Sequence, residues 1–392
     1  MNIFNSLGSN YDLKFVFSSL FTVGSNKDHL ELTHFLEKKY NGRALLLYKG
    51  REALTLALGI LKLPQKTEVA INGFTCFAVH KAVEEAGHTP ICLDLDSEKL
   101  DLNFTSKELE KALKNPNLKV VVVQNTLGYP CDIDAISTIC KKNKVFLIED
   151  LAHCVGARYP NGKEVGTVGD FVVLSFSQDK IIDSVSGGAL VIRNKKYTSA
   201  LDLVGAVRPT YEVGFKQQLI DRLYPLFTYK IRKTYRIGVG KLLHFLLKKT
   251  NVLSKPMSES FYAKYHLPDR YARLAMDAFI HLNTSLKHRN KIANIYNSML
   301  DKKIASGSMN KNIMFSSNLR YPIFVENRNS LINYLEKEGV YVSDIWYYDV
   351  SPDCPNAQKI SSSILNLPTH INMSENNAKL ICERINRWVN LH

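Results

Sequence analysis

Between Arg43 and Ile192 the chain alternates short apolar runs with stretches whose apolar residues recur at helical spacing, and few folds accept that alternation. Seven runs read as strands: Ala44–Leu47, Glu68–Ile71, Pro90–Leu93, Lys119–Gln124, Lys144–Ile148, Phe171–Phe176 and Ala189–Ile192. Glu52–Leu61, Ala78–Ala86, Ser106–Lys114 and Asp134–Lys142 read as helices between them. Strands that are apolar on both faces belong inside a covered sheet, and crossover helices make neighbouring strands parallel. The expectation is an α/β domain on a mainly parallel seven-stranded sheet.

After Asn194 the pattern changes to a basic and aromatic region that runs to about Lys264. Helical periodicity returns over Arg270–Leu300, read as a bridge to a second domain. Strand Leu319–Val325, helix Arg328–Glu338, strand Val340–Val342 and a terminal helix Ser374–Val389 make that domain a small α+β unit. A chain of 392 residues exceeds what one core usually serves. The organisation expected is an N-terminal arm (1–30), a large domain (31–205), a basic amphipathic insertion (206–266), then the bridge and small domain (267–392).

Seven scattered cysteines, with no CxxC pair and no His at metal-ligand spacing, suggest a reducing compartment and no metal site. Met1 to Asn10 lacks the basic start and apolar centre of a secretory signal, so a cytoplasmic location is expected.

In open α/β sheets chemistry collects where strands end. Those positions hold Lys49-Gly50-Arg51, Asn72-Gly73-Phe74-Thr75, Asn125-Thr126, Glu149-Asp150 and Ser177-Gln178-Asp179-Lys180. Glu149-Asp150 ends an apolar run, as a plain strand terminus would. A carboxylate there also suits the pyridine nitrogen of pyridoxal 5′-phosphate (PLP), whose protonation makes the ring an electron sink; Asp150 is the better candidate of the two. Most lysines are simply solvated. Lys180, in a polar turn after an apolar strand and before Ser186-Gly187-Gly188, has the exposed strand-end position that a Schiff-base lysine needs. The turn Tyr48-Lys49-Gly50-Arg51 enters a helix through a glycine. That is an ordinary strand-to-helix connection, or a phosphate held at a helix N-terminus.

Taken together, Gly50-Arg51-Glu52-Ala53-Leu54, Gly73-Phe74-Thr75, Gly128-Tyr129-Pro130-Cys131-Asp132, Ile148-Glu149-Asp150-Leu151-Ala152-His153, Gly169-Asp170, Ser175-Phe176-Ser177-Gln178-Asp179-Lys180 and Gly187-Gly188 resemble, in order and spacing, the DegT/DnrJ/EryC1/StrS family of sugar aminotransferases. The resemblance extends from about Gly42 to Ile192 and resumes from Arg270, with Leu365-Asn366-Leu367-Pro368-Thr369-His370 as a further segment. It implies a PLP-dependent transferase of fold type I, a homodimer with active sites at the subunit interface, an amino-acid donor (glutamate) and a keto-sugar acceptor, nucleotide-linked, in cell-surface polysaccharide and lipopolysaccharide biosynthesis.

By the same resemblance Lys180 is the lysine that carries the cofactor, Asp150 its ring-nitrogen partner, Ser175 a phosphate ligand and His153 a neighbour of the ring. Gly50 and Arg51 form the phosphate turn. Two positions depart from the family. Cys76 stands where an aromatic normally stacks on the cofactor, which leaves Phe77 to do so through a shifted turn. Arg270-Tyr271-Ala272-Arg273 stands where the family has an Asn that reaches the partner subunit's phosphate. Relatives with His at the cofactor lysine dehydrate their substrates, and Lys180 argues for transamination instead. The alternatives are a PLP-dependent dehydratase or eliminase, and a catalytically weak binding module at the membrane surface.

The net charge of +14 is concentrated locally: Ala206 to Pro256 holds eleven Lys and Arg against Glu212 and Asp221. Leu219–Lys249 mixes these with Leu, Ile, Phe and Tyr but contains no run long enough to span a bilayer. Two readings follow. One is a helical insertion packed on the protein or its dimer partner, and the other is peripheral contact with an anionic membrane. Nothing recognisable as a nucleic-acid module surrounds it, so no nucleic acid is expected.

Overall fold

A computed structural model describes residues 2–96, 99, 101–201, 213–253, 266–304, 312–343 and 353–391. The two ends of the 206–266 segment, 206–212 and 254–265, lie outside the described residues. The strands in chain order are β1 (Ile3–Phe4), β2 (Arg43–Leu47), β3 (Glu68–Asn72), β4 (Thr89–Leu93), β5 (Leu118–Val123), β6 (Phe146–Asp150), β7 (Phe171–Ser175), β8 (Gly188–Ile192), β9 (Arg320–Phe324), β10 (Val340–Tyr341) and β11 (Ile364–Pro368).

β2 to β8 form one seven-stranded sheet in the order β2-β8-β7-β6-β5-β3-β4. Only β8 runs against its neighbours, pairing antiparallel with β2 and β7. The mainly parallel sheet expected from the apolar runs is therefore present, and the fold is α/β. Its inner strands are buried on both faces, and their side chains alternate between the two. In β5, Val121 and Val123 pack with Leu32, Leu36, Ile136 and Phe279 on one side, and Val120 and Val122 with Ala53, Leu54, Leu58 and Val83 on the other. Each such valine contributes about 1.5–3 kcal/mol by leaving water.

The bridge read as one helix over Arg270–Leu300 is two, Asp269–Ile280 and Leu282–Met299, broken at His281. The break lets each half face a different core. Ala275 and Phe279 join the large domain, whereas Ile292 and Tyr296 join the small one. The small domain pairs β9 antiparallel with β11 and is completed by the N-terminus: β1 runs parallel to β10, Phe4 opposite Tyr341.

The N-terminal arm is thus integral to the fold, and its helix Leu13–Phe21 packs against helix Phe215–Thr234. That second helix is tied to the large domain by buried Asp221. The Asp221 carboxylate accepts hydrogen bonds from Tyr48 Oη (2.6 Å), Tyr271 Oη (3.0 Å) and Gln217 Nε2 (2.9 Å).

Candidate active site

Two adjacent carboxylates end β6, and strand alternation sends them in opposite directions. Glu149 is fully buried and accepts four hydrogen bonds, from the N–H groups of Gly166 (2.7 Å), Val168 (2.8 Å) and Gly169 (2.6 Å) and from Tyr159 Oη (2.8 Å). It holds the loop that leads into β7. Asp150 faces a cavity of about 610 Å³. Burial pushes its carboxyl up to about 6, against the N–H of Ala152 (2.9 Å) and the charge of Lys180, which favour ionisation.

Lys180 lines the same cavity from the turn after β7. Burial lowers its ammonium pKa, and the nearby Cys76 thiol and Asp150 oppose that. A second lysine, Lys49, also lines the cavity with its pKa lowered by burial, but its Nζ donates to Ser186 Oγ (3.0 Å) and lies 4.5 Å from the centre of the Tyr48 ring.

Helix Gly50–Ile60 begins at the cavity wall, so its free N–H groups and the positive end of its dipole open there. Gly50 is required for that approach. A Cβ on it would fall 2.8 Å from Ser175 Cβ, and one on Gly188 would fall 2.6 Å from Gly50 N. Gly188 therefore admits the helix terminus. Arg51 and Ser175 line the cavity beside it.

His153 is buried, and its Nδ1 accepts the N–H of Leu127 (3.1 Å). Burial, then the Lys180 and Arg320 charges, push its pKa well below the usual range, so the ring is neutral with its proton on Nε2. Cys76 and Phe77 both line the cavity. Phe77 is 56% exposed, and its ring stacks at 6.3 Å on His80. Tyr271 and Arg270 face elsewhere: Tyr271 bonds Asp221, and Arg270 Nη2 donates to Ser19 O (2.6 Å).

The N-terminal arm is a part of the site that the sequence did not reveal. Asp179 accepts the N–H groups of Gly8 (3.2 Å) and Ser9 (3.0 Å), Asp183 accepts Tyr11 Oη (2.8 Å), and Asn10 Nδ2 donates to Lys180 O (3.0 Å). The arm thereby grips the turn that carries Lys180. Three rings line the cavity together: Phe4 stacks on Tyr341 (4.6 Å, 22°), and Tyr235 meets both edge-on at 5.1 and 4.8 Å. Tyr235 caps helix Phe215–Thr234, so the basic segment walls the cavity.

Among the described residues, no cluster of His, Cys, Asp and Glu is arranged to hold a metal. The residues lining the cavity fit a phosphorylated pyridine. They offer an anion site at a helix N-terminus, a buried carboxylate and an amine on neighbouring strand ends, and a neutral imidazole.

The profile of the DegT/DnrJ/EryC1/StrS aminotransferase family matches residues 13–224 and 241–386. GDP-perosamine synthase of Escherichia coli O157:H7 is 33% identical over 161 residues, 41% of this chain and 43% of that protein. UDP-N-acetyl-3-dehydro-α-D-glucosamine 3-aminotransferase of Acidithiobacillus ferrooxidans is 32% identical over 143 residues, 36% and 38% of the two chains. The chain thus spans less than half the length of these relatives. Helicobacter pylori PseC, an aminotransferase involved in pseudoaminic acid biosynthesis, superposes with a TM-score of 0.73 at 17% identity, over 97% of this chain and 96% of that one. TlmJ, an aminotransferase from Streptoalloteichus hindustanus, gives 0.70 at 21% identity over 96% and 95%. These likenesses place the fold among those of the PLP-dependent aminotransferases.

Proposed function

The chain belongs to the DegT/DnrJ/EryC1/StrS aminotransferase family, and from that premise we propose that it is a PLP-dependent aminotransferase moving an amino group from an amino acid, glutamate, to a nucleotide-linked keto sugar for surface-polysaccharide synthesis. It would act as a homodimer. The observation that carries this reading is the convergence of Asp150, Lys180 and the Gly50 helix terminus on one cavity. Solved relatives described in PLP and PMP forms support the cofactor, and relatives named for GDP-perosamine and a UDP-linked 3-amino sugar support a nucleotide-carried acceptor.

When bound, PLP supplies an electron sink that stabilises the carbanion left when a substrate proton departs. The protein's own groups do the rest. Above pH 6 the Asp150 carboxylate is ionised and positioned to hold the ring nitrogen protonated. The helix N-terminus, with Arg51 and Ser175 beside it, would hold the phosphate, an anion suited to free N–H groups and a guanidinium. Burial favours the neutral amine of Lys180, which suits it to attack a carbonyl and then to carry a proton between substrate and cofactor atoms. His153, held neutral, presents an N–H without adding a competing positive charge. Kinetics are expected to be ping-pong.

The test begins with PLP reconstitution, borohydride reduction and peptide mass mapping. Attachment at Lys180 supports the reading, while attachment at Lys49 or none at all refutes it. Transfer of ¹⁵N from glutamate to a panel of nucleotide-linked keto sugars, read by mass spectrometry, then identifies the acceptor; turnover without label transfer would indicate elimination instead.

A further inference from the structure

Helix Val239–Lys249 has two working faces. His244 lines the cavity. Leu242, about 200° around the helix from it at 3.6 residues per turn, points outward with Val239, Phe245 and Leu246, all exposed; Phe245 is 62% exposed. Ile237, at the corner just before the helix, is 75% exposed.

The exposed charge that the basic segment itself carries is of one sign, while the exposed Glu336 of the small domain lines the cavity with Tyr235 and His244. From 213 to 253 the acidic residue is Asp221, which is buried and committed to Tyr48, Tyr271 and Gln217. Lys216, Lys230, Lys233, Arg236, Lys241, Lys248 and Lys249 are exposed. Among the described residues no helix is long and apolar enough to cross a membrane. The pattern of outward Leu, Ile and Phe bordered by Lys and Arg is that of a helix lying in the interface plane, its apolar side chains in the acyl boundary and its cations among head groups.

We propose that helix Val239–Lys249 and the corner before it dock the enzyme on an anionic lipid bilayer. A second copy of the chain fits this surface less well. A twofold axis through this face would oppose Arg236, Lys241, Lys248 and Lys249 to their own copies. A nucleic acid would gain from the cations but nothing from the exposed leucines and phenylalanine. Bilayer docking satisfies both, and it sets the part of the cavity that His244 lines about one helix diameter, roughly 10–12 Å, from the lipid surface. The proposal stands independently of the amino-transfer reading.

Flotation of the full-length protein, loaded with PLP, on phosphatidylcholine vesicles with and without phosphatidylglycerol tests it. The expected result is capture by the phosphatidylglycerol vesicles at physiological salt, weak capture by phosphatidylcholine alone, and release at high salt. At about fivefold per cation near an anionic surface, Lys241→Gln, Lys248→Gln and Lys249→Gln together should lower partitioning about 100-fold. Leu242→Ser with Phe245→Ser should abolish capture with no change in circular dichroism, since these side chains are exposed. No capture of the wild type, capture unaltered by both variants, or a serine variant that only turns a solution dimer into monomers would each overturn the proposal. So would binding to duplex DNA without binding to vesicles.

Discussion

Glu149 and Asp150 are neighbours of the same chemical type, and the structure predicts opposite effects of neutralising them. In Glu149→Gln the amide nitrogen replaces one oxygen. The least costly placement is on the Oε1 side, where Tyr159 can rotate to accept from it and only the Gly166 N–H is orphaned. One unpaired buried donor costs about 1–3 kcal/mol. The bonds from Val168 and Gly169 also lose their charge assistance, which brings the destabilisation to about 2–5 kcal/mol. Asp150→Asn keeps an oxygen for the Ala152 N–H and removes a buried charge.

The linkage sign for Asp150 follows from its raised pKa. Its folded value of about 6 lies above the ordinary 3.8. Its contribution to stability is therefore fully present below about pH 4 and is lost as the pH rises through 6. At pH 8 the cofactor-free Asp150→Asn protein should be about 1–3 kcal/mol more stable than wild type, from roughly two pKa units at 1.36 kcal/mol each less the cost of burying an amide. Once loaded with PLP it should lose amino transfer by at least about 100-fold. Urea unfolding of the cofactor-free proteins and single-turnover glutamate assays of the loaded ones measure both effects. If Glu149→Gln unfolds like wild type, or Asp150→Asn is the less stable of the two, the division of these carboxylates into loop anchor and cavity group is wrong.

PLP affinity of the cofactor-free enzyme should weaken about tenfold per pH unit below 6, as Asp150 gains its proton, and Asp150→Asn should flatten that profile in a fluorescence titration. Gly50→Ala, whose Cβ meets Ser175 Cβ at 2.8 Å, should cost about 1–3 kcal/mol in thermal unfolding and weaken binding of pyridoxal phosphate more than of pyridoxal; equal weakening of both would remove the turn from the phosphate site. Asp179→Ala strips the acceptor from Gly8 and Ser9 and should speed hydrogen exchange at residues 8–11 about tenfold or more, at about 1.4 kcal/mol per tenfold, with no such change if other contacts suffice to hold the arm. Tyr235→Ala should raise the acceptor KM while leaving the glutamate half-reaction unchanged, because the ring lines the cavity from the basic segment, which carries neither Asp150 nor Lys180; parallel loss in both half-reactions would mean a structural role only.

The sheet was legible because its inner strands are buried on both faces and so leave continuous apolar runs in the sequence. β1 and β10 are two residues long, too short for any period to register. The break at His281 carries no glycine or proline, and it exists because two cores claim successive stretches of one apolar pattern. Within the motifs, sequence could not separate residues that line the cavity from those that hold the frame. Asp132 caps helix Ile133–Asn143 by accepting the N–H of Ala135, and Asp170 accepts the N–H of Leu147 and a hydrogen bond from Asn194. Both belong to the family pattern for reasons of fold. Lys180 and Asp150 stood out because they sit just past apolar strands, the one position where a polar residue is exposed to a cavity yet fixed by a sheet.

What sequence could not supply is long-range closure. Phe4, Tyr235 and Tyr341 lie more than 200 residues from first to second and about 100 from second to third, yet they form one ring cluster. A two-residue strand pair cannot hold Phe4 there alone. The arm is kept in place by polar contacts at both sides: His370 Nε2 meets Phe4 O (3.1 Å), Asn5 Nδ2 donates to Asn366 O (3.1 Å), and Asp179 and Asp183 take up residues 8–11. Asp179 also favours the charged form of the half-buried Arg232, and Asp179 and Asp183 together that of the buried Arg289; these guanidinium groups donate to Tyr11 O and Asn10 Oδ1. The same acids thus fix the arm and offset the cations that bind it, so the cavity wall that Phe4 forms depends on charge balance beneath the lysine turn as well as on the rings themselves.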